Sequence, residues 1–87
     1  MYQVKLNNKT LRSIQKMPKR VQKKMGTLVE ELKLKGPIRS EWKNFSKLGE
    51  NNYHCHLEYK WVACWKTEKN SIVIEVYYAG SRENAPY

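Results

Sequence analysis

The stretch from Pro18 to the Gly36-Pro37 pair limits the fold more than any other part of the chain. Within it Val21, Met25, Leu28 and Leu32 recur at i, i+4, i+7 and i+11, one apolar stripe along a helix. Proline is tolerated in a first turn and not in a helix interior, so Pro18 closes a preceding helix or opens this one. Gly36-Pro37 is a strong stop. Upstream, Tyr2, Val4 and Leu6 alternate with polar residues as a short first strand. Asn7-Asn8 supplies turn and N-cap chemistry, and Leu11, Ile14 and Met17 are spaced for one face of a first helix.

After Gly36 the period changes. Residues 38–47 read as a loop whose Trp42 and Phe45 close the bottom of the core, and Leu48-Gly49 leads into a sheet. Tyr53, Cys55 and Leu57 alternate with His54, His56 and Glu58. The run from Trp61 to Trp65 is a second, buried strand. Only a tight turn near Tyr59 fits between the two, so they form an antiparallel hairpin. Residues 72–78 are β-branched and aromatic, suited to a central strand. Gly80 ends that strand, and a polar tail runs to Tyr87. The expected order is β-α-α-β-β-β. This is an α+β fold, with two N-terminal helices as a hairpin on one face of a small antiparallel sheet, in one domain over residues 1–87.

Eighty-seven residues allow only a thin core. Two cysteines are too few for a disulfide framework, so both thiols are expected to be free in a reducing compartment. The first nine residues lack the apolar run of a signal peptide. No stretch approaches the ~20 apolar residues of a membrane span. The expectation is a cytoplasmic protein with no membrane contact. The net charge of +9 is lopsided. Residues 1–47 hold 13 Lys/Arg against 3 Glu, and residues 48–87 hold 4 against 5. Such an excess points to a polyanionic partner, either nucleic acid or an acidic protein.

Chemistry concentrates in the other half. Strand alternation places His54 and His56 on the face away from the helices. Imidazoles titrate near neutrality, so the pair can act as acid and base, or be two ordinary surface histidines. His-x-His is also a plausible pair of zinc ligands. Cys55 and Cys64 are expected to point into the core, however, and Glu58 is the only carboxylate nearby, so no metal site is assigned. Arg82, just past the last strand, is placed to hold a phosphate. Tyr87 offers a ring for stacking on a base.

The ordered set of Lys47-Leu-Gly, a Tyr53-x-x-x-Leu57 strand, a basic-aromatic strand from Lys60, and a closing Val76-Tyr-Tyr-Ala-Gly-Ser-Arg82 to Tyr87 resembles the RelE/ParE superfamily of toxin–antitoxin toxins. The resemblance covers nearly the whole chain and is strongest from Lys47 to Tyr87. It implies a RelE-like enzyme that cuts messenger RNA on the ribosome without metal or cofactor, using the RNA's own 2′-hydroxyl as nucleophile. His54 and His56 match the catalytic strand positions, Lys60 and Arg82 the phosphate-binding positions, and Tyr87 the base-stacking tyrosine. Lysine at 60 departs from the arginine of the pattern and cannot form its two-pronged hydrogen bond. Lys19, Arg20, Lys23, Lys24, Lys43 and Lys47 would dock on RNA backbone. The implied partners are a cognate antitoxin protein, the ribosome and mRNA. The alternatives are the ParE branch, which shares the fold and inhibits gyrase without a nuclease site, and a toxin-fold protein kept for binding alone.

Overall fold

A computed structural model describes residues Met1–Tyr87. The elements are β1 (Gln3–Leu6), α1 (Asn8–Gln15), α2 (Lys19–Lys35), β2 (Ser46–Gly49), β3 (Asn52–Glu58), β4 (Trp61–Thr67), β5 (Val73–Ser81) and a short 3₁₀ turn, Arg82–Asn84. Asn7 caps α1, its side-chain oxygen accepting from the Thr10 N–H at 2.8 Å. Pro18 sits at the N-cap of α2 with its carbonyl accepting from Val21 and Gln22. Gly36 ends that helix at φ +92°. A Cβ there would come within 2.8 Å of the Tyr2 ring, so both the backbone and the packing require glycine.

The sheet order is β1-β5-β4-β3-β2. Three expectations fail here. The sheet is mixed rather than antiparallel, because β1 lies parallel to β5 while the other pairs are antiparallel. Alternation tells which face a residue takes but not which strand lies beside it. The sheet also has a fifth strand, β2, cut from the expected loop. All four of its residues are exposed, so it carries no burial periodicity that a pattern could reveal. β5 also runs one residue past Gly80, where the absence of a side chain leaves room for the Tyr78 hydroxyl to donate to the Ser81 carbonyl at 2.6 Å.

Both helices lie against the sheet. The α2 stripe of Val21, Met25, Leu28 and Leu32 is fully buried against Tyr53, Cys55, Leu57, Ala63, Trp65, Ile74, Val76 and Ala79. Each such aliphatic side chain stabilises the fold by about 1.5–3 kcal/mol relative to exposure. Trp42 and Phe45 do close this core. Phe45 stacks on Tyr53 with ring centroids 5.9 Å apart, and the Trp42 indole donates to Glu31 at 2.7 Å. The Trp65 indole donates to the Pro37 carbonyl at 3.0 Å, fastening the end of the helical hairpin to the sheet.

Two irregularities in the ladder decide what faces outward. In β5, Val76 opposes Trp65 and Tyr78 opposes Cys64, so Tyr77 is an extra residue. In β3, His56 opposes Val62 and Glu58 opposes Trp61, so Leu57 has no partner. The second bulge turns Glu58 to the helix side. There it meets Arg20 at 3.1 Å and Lys24 at 3.0 Å.

Candidate functional site

The face of the sheet away from the helices carries His54 and His56, as alternation along β3 requires. Their ring centroids lie 5.8 Å apart at 60°. The unforeseen strand β2 contributes to this pair, since Ser46 Oγ lies 2.9 Å from His54 Nδ1. No pattern in the sequence marks Ser46. On the other side of His54 the tail returns over the sheet. The Tyr87 ring stands edge-on to His54, with centroids 4.4 Å apart. His56 is tied into the loop before β2, its backbone N–H donating to the Lys43 carbonyl at 2.8 Å.

Burial, helped by neighbouring charge, favours the neutral form of both imidazoles. Burial pushes His54 below its ordinary value, with the neighbouring His56 adding to the effect and hydrogen bonding to the Ser46 backbone opposing it. Burial also pushes His56 down, helped by the charges of Arg82 and Lys43. Two neutral imidazoles can each accept a proton at pH 7, which is what a general base needs. The Tyr87 phenol is shifted up, by burial first and by the Cys64 thiol next, so it stays un-ionised.

Cys64 does not point into the helix-facing core as expected. It lies opposite His54 and therefore shares the histidine face, buried there, and burial pushes its thiol up to about 11, with Tyr77 nearby opposing the shift. The run from Trp61 to Trp65 is apolar at every position, so the sequence offers no phase from which to orient it. Cys55 does face the core, and burial raises it to about 12. No three His, Cys, Asp or Glu side chains come together to hold a metal ion. Glu58, the carboxylate nearest in sequence, has been turned away by its bulge.

Arg82 and Lys60 meet at the far end of the histidine strand. The Arg82 backbone N–H donates to the Lys60 carbonyl at 2.7 Å, and the guanidinium lies 5.0 Å from the Tyr59 ring centroid. Lys60 and Arg82 both line a cleft of about 570 Å³ with Tyr59, Trp61, Ser81 and Glu83. The structure thus brings His54, His56 and Tyr87 together on one face of the sheet, places Lys60 and Arg82 together at the turn that ends the histidine strand, and adds Ser46, Lys43 and Tyr59. The cations expected to dock on RNA are dispersed. Lys19, Arg20, Lys23 and Lys24 occupy the first turns of α2, and Lys47 lies on the exposed edge strand β2. Arg20 and Lys24 are engaged by Glu58. No helix is long and apolar enough to cross a membrane.

No protein-family model matches the sequence, and no curated protein does. Solved structures do match it in shape. The archaeal RelE of a RelE–RelB complex from Pyrococcus horikoshii OT3 superposes with a TM-score of 0.75 at 16% identity, over 97% of this chain and 98% of that one. The isolated E. coli RelE toxin gives 0.74 at 15% identity, over 99% and 89%. A YoeB–YefM complex from Staphylococcus aureus gives 0.68 at 13%, over 92% and 95%. These identities carry the backbone and not the chemistry. Two helices on a five-stranded mixed sheet, aligned nearly end to end with these toxins, give the chain the fold of the RelE/ParE-like toxins.

Proposed function

We propose that the chain is a ribosome-dependent mRNA endonuclease, the toxin of a toxin–antitoxin pair. The observation that carries this reading is the His54–His56 pair near Arg82, on a face from which Glu58 has been removed; burial shifts both imidazoles toward the neutral form a base needs. An imidazole of the pair takes the proton of an RNA 2′-hydroxyl. The freed oxygen attacks the adjacent phosphorus, the bond to the 5′-oxygen breaks, and the imidazolium just formed returns its proton, directly or through the neighbouring imidazole or a water, to that oxygen. The products are a 2′,3′-cyclic phosphate and a 5′-hydroxyl. Such acid–base assistance typically contributes ~10²–10⁴-fold. Arg82 and Lys60 hold the phosphate as its charge grows, an effect of similar size. Tyr87 stacks on a base.

The cations of α2, with Lys43 and Lys47, hold ribosomal RNA backbone through sequence-blind, salt-sensitive contacts. The RelE–RelB and YoeB–YefM complexes supply the precedent for an antitoxin partner, and the strongly basic first half of this chain suits an acidic one.

The test is to induce the protein in a bacterium and map messenger RNA ends. The parent should create new ends within translated regions, and His54→Ala, His56→Ala and Arg82→Ala should not. Growth arrest with intact RNA and poisoned gyrase would place the chain with the non-nuclease toxins. Unchanged cleavage in all three variants would remove the site assignment.

A further inference from the structure

The turn between β3 and β4 holds chemistry that the histidine pair does not use. Tyr59 is 70% exposed there. The Arg82 guanidinium approaches its ring, and Trp61 on β4 pairs with Ser81 at the end of β5. The cleft they line with Lys60 and Glu83, about 570 Å³, is of the size that takes a small organic ligand. Glu83 is its only carboxylate. Although Lys60 and Arg82 line the same cleft, Glu83 forms an ion pair with neither.

The cleft's position relative to the histidines gives it meaning. Arg82 belongs to the cleft and also acts on His56. Tyr87 stands at the opposite end of the pair, against His54. The two imidazoles therefore have an aromatic ring on both sides, Tyr87 on one and Tyr59 on the other, while Trp61 opposes Glu58, packs against the helix-side core and lines the cleft from that side. A nucleic acid strand presents one phosphate between each two bases. With a phosphate at the histidines, the flanking bases fall to these two places.

We infer that the cleft between the β3–β4 turn and Arg82 is a nucleobase subsite, with Tyr59 as its stacking platform and Glu83 selecting guanine. The inference deepens the proposed function and rests on it for the position of the phosphate. Every base has a face to stack, so Tyr59 alone would be indifferent. The carboxylate is not indifferent. Ionised, it only accepts hydrogen bonds, and it has two oxygens side by side. Among the RNA bases only guanine offers two adjacent donors, N1–H and the N2 amino group. Adenine and cytosine each place a ring nitrogen lone pair beside their amino group, and uracil flanks its one donor with two carbonyls.

The experiment titrates the purified full chain with GMP, AMP, CMP and UMP and follows the tryptophan indole N–H resonances by NMR. The Trp61 signal should move, with GMP binding roughly tenfold or more tighter than AMP. Tyr59→Ala should abolish the shift, and Glu83→Gln should bring GMP down to the level of AMP. Tyr59 and Glu83 are both exposed, and an otherwise unchanged spectrum verifies that each variant is folded. An unmoved Trp61, equal binding of GMP and AMP by the parent, or a guanine preference that survives Glu83→Gln overturns the inference. The readout needs no cleavage. Selective GMP binding with cellular RNA left intact would keep the subsite and remove the nuclease proposal, whereas RNA cut through the histidines with Trp61 silent would do the reverse.

Discussion

The two faces of the sheet use similar residues for opposite ends. The helix side takes Tyr53, Trp65 and Phe45 and packs them ring against ring, with the one indole N–H among them satisfied by a carbonyl. The outer side takes Tyr87, Tyr77 and Tyr59 and leaves each at least partly in solvent, beside groups that ionise or carry charge. One face is shaped so that nothing else fits. The other is covered by a tail just enough to lower the affinity of two imidazoles for protons. Aromatic content alone therefore says little about function; the polar group each ring meets says more.

Substitutions on the two faces should separate stability from activity. The largest loss of stability is expected for Trp65→Ala, which empties the centre of the helix-facing core and leaves the Pro37 carbonyl unpaired. Denaturant unfolding should show a loss of about 3–5 kcal/mol. His56→Ala should do the opposite. Unfolding should change by about 1 kcal/mol or less, while single-turnover RNA cleavage falls ~10²–10⁴-fold. A His56 variant that unfolds like the Trp65 variant would erase the distinction between the faces.

Acid should reveal the outer face more gently. Unfolded, both imidazoles titrate near 6.5; folded, they titrate lower. The folded chain therefore binds fewer protons in the window between those values. This contribution to stability is intact above about pH 6.5 and is lost as the pH falls from there through the folded values. Urea midpoints should hold from pH 8 to 7 and then decline, and a His54→Asn/His56→Asn double variant should flatten the part of that decline lying above the carboxylate range. The acid limb of the cleavage rate should have its midpoint below 6.5. The smallest effect is expected at the boundary between the faces. Glu58→Gln releases Arg20 and Lys24, so the dependence of RNA binding on salt should steepen by roughly one in logarithmic slope.

How far the sequence reveals this arrangement depends on burial. The α2 stripe and the β3 alternation are legible because one side of each is buried and the other is not. The histidine pair follows from the same alternation. β2 is not legible because water reaches all of it, and the orientation of Cys64 is not legible because both of its faces are covered. Ser46 and Tyr59 escape notice for a third reason. Each gains its role from a residue distant in sequence or across a turn, His54 for Ser46 and Arg82 for Tyr59, and neither relation has a period. Glu58 shows the limit of alternation itself, since one unpaired residue before it reverses the side it takes.

The parallel pairing of β1 with β5 has a consequence for how the chain is made. Gln3 finds its sheet partner only in Val73, so the first strand leaves the ribosome and must wait until almost all the other elements have followed. Contacts of such long sequence separation slow folding, because the loop must close before the pairing repays it. Arg82 and Tyr87 follow β5, so the outer face gains its last cation and its covering ring only after the sheet can close. Until β5 has docked, the histidines stand on the sheet without the groups proposed to make them active.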